Sequence, residues 1–154
     1  MILINTNLSF VMLKQYNDMG EQLICIEALI NGRTISCNKY VPNKVVSDFS
    51  HDVNRMLGHM EGQVIMAGEF NQVMDRTIDR TRSSGKSSTN DGAAIKMLTE
   101  ELSQVDIWRL MNICEREYTF YSHCHRSQSR IDFFPISKTL LDSIVNCDIC
   151  TSNL

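Results

Sequence analysis

The stretch Gly62-Gln63-Val64-Ile65-Met66-Ala67-Gly68-Glu69-Phe70-Asn71 decides which fold the sequence predicts. Its four consecutive apolar residues, 64–67, are too few for a stable isolated helix and favour a strand covered on both faces. Glu69 and Asn71 would share one face if the extended backbone continued, while Phe70 would point into the core. A carboxylate beside an amide can hold a water or a phosphate. The alternative is a strand that ends in a polar loop with a hydrogen-bonded Glu69.

Composition is that of an ordinary globular protein. The 154 residues are 43% hydrophobic and 21% charged, which predicts a single domain. The net charge of -3 provides no overall attraction to nucleic acid, so phosphate binding would need local basic clusters. Six irregularly spaced cysteines and no secretion signal predict reduced thiols in an intracellular protein, nuclear or cytoplasmic. No apolar run reaches membrane-spanning length, so we expect no membrane partner.

The N-terminal part of the sequence predicts a sheet covered by a helix. Residues 1–4 have the composition of a buried strand, and 22–30 and 33–41 are strand-like. Asn31-Gly32 between the last two predicts a tight hairpin, because both positions tolerate positive φ. Apolar residues recur at helical spacing from Val45 to Met60, which predicts an amphipathic helix packed on the sheet.

The region after Asn71 predicts a polar loop and then a second helix. Residues 74–88 carry hydroxyl groups and four basic side chains, which favours either a phosphate-facing rim or an exposed surface loop. Asn90 or Asp91 is suited to cap the helix that follows. The apolar residues with helical spacing in that helix are Ala94, Met97, Leu98, Leu102 and Val105.

Short elements are predicted for the remainder of the chain. Trp108 is expected in the core, and 118–121 and 129–134 are expected to form two short aromatic strands around a polar turn. A helical turn is expected over 139–144 and a last strand over 145–149.

Five motifs occur in an order and at spacings typical of one superfamily. They are Tyr40-Val41-Pro42-Asn43, Gly68-Glu69-Phe70-Asn71, Asp79-Arg80-Thr81, Tyr118-Thr119-Phe120-Tyr121 and Ser129-Arg130-Ile131-Asp132. With them the sequence resembles the endonuclease/exonuclease/phosphatase superfamily, in particular the apurinic-type endonuclease domain of LINE-like retrotransposon proteins. The resemblance implies an α/β (α+β) fold, an incomplete four-layer α/β sandwich of the deoxyribonuclease I-like type, over residues 1–154. It also implies Mg²⁺-dependent hydrolysis of DNA phosphodiesters, and a reverse transcriptase domain in the same polyprotein of the parent element.

The resemblance also implies which residues form the catalytic site. Tyr40 would approach the scissile phosphate, and Asn71 would contact the attacked phosphate or the water. Asp132 matches an aspartate that orients the catalytic histidine in the family, a role with a large effect on rate. Glu69 stands where the family places the aspartate that positions or deprotonates the attacking water. The implied substrate-binding residues are Asn43, Arg80, Thr119, Tyr121, Ser129 and Arg130, with Asp79 beside Arg80 near the DNA backbone.

Two departures from the family pattern predict weak activity. Glutamate at position 69 moves the carboxylate by roughly 1 Å, and a displacement of that size can cost about a hundredfold in rate. The family's Mg²⁺-ligating glutamate and its Ser-Asp-His segment would lie outside these 154 residues, so we expect little or no Mg²⁺-dependent nicking by the chain alone.

Two alternatives remain open on the sequence alone. The chain could be an inactive remnant that still binds nucleic acid, and its candidate phosphate-binding cations are Arg76, Arg80, Arg82, Lys86, Arg126 and Arg130. It could also bind zinc, because Cys147 and Cys150 have ligand spacing and the 123–125 run offers further donors. The zinc signal is weak, since two thiolates on one strand need partners from across the fold.

Overall fold

The largest sheet has four strands in the order β1-β2-β3-β4. These strands are β1 (Phe10–Asn17), β2 (Leu23–Ile30), β3 (Arg33–Lys39) and β4 (Gln63–Val64). The pairs β1–β2 and β2–β3 are antiparallel, whereas β3–β4 is parallel. The computed structural model describes residues 4–17, 23–31, 33–39, 57, 62–81 and 92–150.

The hairpin predicted at Asn31 is confirmed. Ile30 pairs with Arg33 across the turn, and Asn31 has a φ of 50°, in the left-handed region that such a tight turn needs. The strand predicted over 1–4 is not found at Ile4, while 1–3 lie outside the described residues. Strand β1 was not predicted, because most of its side chains are exposed on both faces and no alternation marks it.

Little of the helix predicted between Val45 and Met60 can be compared with the structure. Apart from Leu57, which is buried, the segment lies outside the described residues.

The stretch from Gly62 to Asn71 is an extended run that changes partners along its length. After β4, Ile65 forms a bridge with Ile136, and β5 (Gly68–Glu69) pairs with β9 (Asp132–Phe133). The buried strand was therefore predicted correctly in outline. The extended backbone does not continue through Asn71, whose φ is 53°, so the condition under which Glu69 and Asn71 would share one face is not met.

The second half of the chain alternates short helices and strands. Its elements are α1 (Ala93–Glu101), β6 (Gln104–Asp106), α2 (Ile107–Met111), β7 (Phe120–Ser122), β8 (Ser127–Ser129), β10 (Pro135–Ser137) and a 3-10 helix (Lys138–Ser143). Strand β10 pairs antiparallel with β6, and β7 pairs antiparallel with β8. The single strand predicted over 129–134 is instead divided between β8 and β9, which have different partners.

Helix α1 begins differently from the prediction. Gly92 is its N-cap, with a φ of 76° and no side-chain cap, while Asn90 and Asp91 lie outside the described residues. A Cβ at Gly92 would stand 2.3 Å from the Val73 carbonyl oxygen, so the close approach and the positive φ both require glycine. The predicted helical pattern also ran too far, because Val105 lies in β6.

The C-terminal predictions had mixed outcomes. The helical turn expected over 139–144 is confirmed as the 3-10 helix, and Trp108 is 4% exposed, as expected for a core residue. The strand predicted over 145–149 is wrong, since this segment carries no strand pairing. In the described ranges, no helix combines the length and apolar character needed to span a bilayer.

Three small apolar clusters form the described core. The cluster beneath the β5–β9 pair contains Phe70, Ile95 and Phe133, and the Phe70 and Phe133 rings meet edge to face at 5.7 Å. Phe70 is 2% exposed, which confirms its predicted place in the core. The other two clusters are Cys25, Leu57, Met66 and Leu98, and Ile107, Ile136 and Leu140. The mixture of strands and helices confirms the α/β (α+β) class, and the four-layer arrangement stays a prediction.

Candidate functional site

Two acidic residues stand directly opposite each other where β5 meets β9. The register pairs Gly68 with Phe133 and Glu69 with Asp132. Because side chains alternate along a strand and Phe133 points into the core, Glu69 and Asp132 share the opposite face. Directly opposed residues have Cβ atoms about 4.5–5.5 Å apart, and like charges at that spacing are destabilising. No ion pair within the described residues joins either carboxylate to a cation, so the pair is suited to a cationic ligand.

Asn71 lies at the end of the same strand pair. The Phe70 amide donates to the Ile131 carbonyl at 2.8 Å. Asn71 is therefore the first residue after the backbone bonding between the β5 and β9 segments. Asparagine is among the few non-glycine residues that tolerate the left-handed backbone found here. The structure therefore brings together Glu69, Asn71 and Asp132, whereas Tyr40 and Asn43 lie outside the described residues.

Thr119 holds the backbone that bears Asp132. Its hydroxyl oxygen accepts from the Ile131 amide at 3.2 Å and from the Asp132 amide at 3.3 Å, and its own amide donates to the Ser129 carbonyl at 3.1 Å. The predicted substrate-binding role of Thr119 stays a prediction, but its hydroxyl already has a structural use.

Arg130, which was expected to line the substrate groove, has an enclosed guanidinium. Its side chain is 1% exposed; Nε donates to Asp79 Oδ1 at 2.9 Å, and Nη1 is 2.7 Å from Asp106 Oδ2. The Trp108 and Phe133 rings lie against the guanidinium, with ring centroids 4.9 and 4.5 Å from its carbon. The charge of Arg130 is thus already balanced inside the protein.

Asp79 joins a second arginine to this group. Arg109 Nη2 donates to Asp79 Oδ1 at 2.7 Å, and Arg109 Nη1 donates to the Asn112 and Glu115 carbonyls, each at 2.8 Å. Asp79 Oδ2 accepts from the Asp75 amide at 3.0 Å. We call Asp79, Asp106, Arg109 and Arg130 the buried charge cluster. Its two carboxylates and two guanidiniums give no net charge, which is the condition under which buried ions are tolerated.

Sequence reasoning missed Asp106 and Arg109 and placed Asp79 near the DNA backbone. Asp106 also caps α2, since its carboxylate accepts from the Arg109 amide. Aspartate is a favoured N-cap residue, which is a local signal for the role of Asp106. No local signal connects Asp79 with Arg130, because the two are 51 residues apart.

The remaining predicted substrate-binding residues lie around β7 and β8. Arg80 Nε donates to Ser129 Oγ at 3.1 Å, and a backbone bridge joins the same two residues. Tyr121 is 48% exposed on β7, and its ring meets that of His123 edge to face at 4.8 Å. This arrangement places Arg80 next to a hairpin with an exposed aromatic side chain, while their contact with substrate stays a prediction.

The predicted phosphate-facing rim is described only as far as Thr81. Its first part is an ordered turn, in which Asp75 accepts from the Thr77 hydroxyl at 2.6 Å and the Thr77 amide at 2.8 Å. These two hydrogen bonds, the side-chain one first, lower the pKa of Asp75 from its usual value. Arg82 and Lys86 lie outside the described residues.

A pocket of about 490 Å³ adjoins Asp132. Its lining includes Gly68, Trp108, Thr119, Arg130, Asp132 and Cys147. Burial, followed by the nearby carboxylates of Asp106 and Asp148, raises the pKa of the Cys147 thiol. Asp132 thus lies at the wall of a pocket whose lining is mostly apolar.

The donor atoms suit magnesium better than zinc. Mg²⁺ takes one or two protein carboxylates and completes its shell with waters and phosphate oxygens, and Glu69 with Asp132 could supply those carboxylates. Zinc needs three or four clustered donors, and no group of three or more His, Cys, Asp or Glu side chains gathers among the described residues. The donors of the zinc alternative do not gather in such a group, because the 123–125 run occupies the β7–β8 turn and Cys147 packs in the third apolar cluster.

No family model matches the chain. Its fold is similar to that of the AP endonuclease from Leishmania major, with 19% identity, a TM-score of 0.67 and coverage of 82% of this chain and 49% of the other. It is also similar to an AP endonuclease from Archaeoglobus fulgidus, with 18% identity, a TM-score of 0.64 and coverage of 86% of this chain and 61% of the other. For the endonuclease domain of TRAS1, a telomere-specific non-LTR retrotransposon, the identity is 15% and the TM-score 0.58, and the match covers 91% of this chain and 60% of the other. The predicted resemblance is thus confirmed in fold, and the chain spans about half to three fifths of these structures.

Proposed function

We propose that this chain forms part of a divalent-metal-dependent DNA endonuclease of the exonuclease III and apurinic endonuclease type. The observation that carries the proposal is the direct opposition of Glu69 and Asp132, with Asn71 at the end of the same strand pair. The fold similarity to AP endonucleases supports phosphodiester chemistry on DNA, and the likeness to the TRAS1 domain supports a LINE-like retrotransposon origin. A reverse transcriptase domain in the parent polyprotein and an intracellular location follow from that origin.

Each site residue has a distinct role in this proposal. Glu69 would position or deprotonate the attacking water, and Asp132 would orient a catalytic histidine. The two opposed carboxylates could also hold Mg²⁺, which when bound would stabilise the negative charge that develops during phosphodiester hydrolysis. The Asn71 amide would donate a hydrogen bond to a phosphate oxygen and hold the scissile group in place. Thr119 keeps the Asp132 backbone in position through its hydroxyl.

We also propose that these 154 residues cut DNA weakly or not at all by themselves. General acid–base catalysis usually relies on a histidine close to the reacting atoms. Of the described histidines, His123 and His125 lie in the turn of the β7–β8 hairpin and not on the β5–β9 pair. The longer side chain of Glu69 adds a further misplacement of roughly 1 Å where the family has aspartate.

A nicking assay tests both proposals. The complete chain is incubated with supercoiled plasmid, or with a duplex that contains one abasic site, in Mg²⁺ or Mn²⁺. We expect little product from the natural chain, more from Glu69→Asp, and none above background from Glu69→Gln, Asn71→Ala or Asp132→Asn. Strong nicking that Asn71→Ala abolishes would overturn the proposed weakness and keep the site. Nicking that none of these substitutions changes would overturn the site.

A second candidate function is DNA binding without cutting. It is favoured by the exposed side chains of Phe120 and Tyr121 on β7, each 48% exposed, because aromatic rings at a surface can stack on bases. Arg80 lies beside this hairpin through its bond to Ser129.

Fluorescence anisotropy with a labelled duplex tests that candidate. Binding through phosphates should weaken steeply as salt rises, with a slope close to the number of phosphates contacted. Tyr121→Ala should weaken binding, and Val11→Ala, at an exposed apolar side chain of β1, should not. No measurable affinity at low salt would exclude this function.

A further inference from the structure

The buried charge cluster connects three separate parts of the chain. Asp79 ends the 75–79 turn, Asp106 and Arg109 belong to the β6–α2 junction, and Arg130 lies between β8 and β9. The side chains of Asp79, Asp106 and Arg130 are each no more than 7% exposed, so these contacts are shielded from solvent. Separating one of these segments from the others would break an ion pair where little water is present to solvate the separated charges.

Arg130 is also tied to Asp79 through its backbone. The Arg130 amide donates to the Asp79 carbonyl at 2.9 Å, alongside the side-chain bond from Nε to Oδ1. The same two segments are joined again further along, because the Thr81 amide donates to the Gln128 carbonyl at 3.1 Å and the Gln128 amide donates to Thr81 Oγ1 at 2.9 Å. Residues 79–81 are therefore hydrogen-bonded to residues 128–130.

Asp132 follows Arg130 by two residues. The Ile131 carbonyl accepts from the Phe70 amide, and the next pair in the ladder is Glu69 with Asp132. Arg130 therefore directly precedes the residue at which the bonding with the Gly62–Asn71 stretch begins.

We propose that Asp79 and Arg130 are positioning residues that hold Asp132 opposite Glu69, and that Arg130 does not contact DNA. The proposal rests on the proposed function for the role of Asp132. It assigns phosphate contact in this region to Arg80, whose side chain is half-buried and uses only Nε toward Ser129 among the bonds described.

The first test uses the natural chain and NMR signals of the arginine Nε–H groups during titration with an unlabelled DNA duplex. The Arg80 signal should shift, and the Arg130 signal should stay unchanged because its proton is held by Asp79. A shift of the Arg130 signal that saturates with bound DNA, as large as that of Arg80, would overturn the proposal.

The second test is independent of DNA binding and of catalysis. Hydrogen exchange is measured for the Phe70 amide, which bonds to Ile131, and for the Asn31 amide, which bonds to Ser9 in the distant sheet. In Asp79→Asn we expect at least tenfold faster exchange at Phe70 and unchanged exchange at Asn31. Equal acceleration at both amides, or none at Phe70, would show that the cluster does not position this site.

Substitutions at Arg130 complete the test. Arg130→Lys keeps the charge but replaces the planar guanidinium, which contacts the carboxylates of both Asp79 and Asp106, by a single ammonium group. It should therefore also accelerate hydrogen exchange at the Phe70 amide. The matched control Arg80→Lys, at the neighbouring cation, should leave exchange at Phe70 unchanged. If Asp79→Asn fails to fold, Arg130→Lys alone decides the second test. If the natural chain does not bind DNA, the DNA-binding candidate fails, and the exchange measurements alone decide the positioning role.

Discussion

Loss of the Asp79 charge should cost more stability than the loss of any exposed ion pair in the described part of the chain. The Asp79 side chain is 1% exposed, and its carboxylate is 2.7 Å from Arg109 and 2.9 Å from Arg130. Asp79→Asn keeps the shape and one acceptor oxygen but leaves one uncompensated positive charge in the interior. Removing one partner of a buried ion pair typically costs about 3–5 kcal/mol. That is a large share of the roughly 5–15 kcal/mol by which such domains are stable.

Urea denaturation followed by Trp108 fluorescence measures this loss. With an m-value of about 2 kcal/mol per molar urea, the unfolding midpoint should fall by about 2 M. Lys14→Gln is the matched control, because the Lys14–Glu27 pair is 3.6 Å apart and its lysine side chain is 62% exposed. An exposed pair of this kind contributes at most about 1 kcal/mol.

The reasoning is refuted if Asp79→Asn lowers the free energy of unfolding by no more than Lys14→Gln does. A double-mutant cycle adds a second check. Asp79→Asn combined with Arg130→Met removes both charges, so the double variant should be more stable than the sum of the two single losses predicts. Strict additivity would show that the two residues do not interact.

Three further predictions concern the backbone, a surface carboxylate and a thiol. Gly92→Ala should destabilise the protein by at least about 1–2 kcal/mol, because of its φ of 76° and because the added Cβ would lie 2.3 Å from the Val73 carbonyl oxygen; thermal unfolding measures this. Thr77→Val should raise the pKa of Asp75 toward 3.8 in an NMR titration, since the side-chain hydrogen bond that lowers it most is lost. Asp75 contributes stability that is present above pH 3.8 and is lost as the pH falls through its lowered folded-state pKa. Thr77→Val should therefore reduce the free energy of unfolding at neutral pH and make it fall less steeply with acidification. Cys147 should react with iodoacetamide more slowly than Cys114 at pH 8, because burial raises its pKa and limits access.

Each of these has a control on a comparable residue. Lys96→Ala, exposed on the same helix as Gly92, should leave the melting temperature nearly unchanged. Thr119→Val should not move the pKa of Asp75, since Thr119 bonds to a different segment. After unfolding, Cys147 and Cys114 should be alkylated at equal rates, whereas equal rates in the folded protein would contradict the third prediction.

Local sequence signals determined the elements whose conformation depends on neighbouring residues. Asn31 was predictable as a turn because its side chain tolerates positive φ, and the 3-10 helix was predictable from residues 139–144. Phe70 was placed correctly in the core by the alternation of the strand that contains it. The five motifs predicted the fold because their order along the chain resembles that of one superfamily.

Only the tertiary structure decided what the charged residues do. The motifs of Asp79 and Arg130 resemble ones that face DNA, and contact of these residues with substrate stays a prediction. The structure adds what the motifs do not indicate: Asp79 forms buried ion pairs with Arg109 and Arg130, and Arg130 forms a second one with Asp106. Such pairs form between segments distant in sequence, and their geometry depends on strand register, which no single segment encodes. The same holds for Glu69 and Asp132, which face each other because β5 and β9 meet in one register, whereas a shift of one residue would turn one of the two carboxylates toward the core.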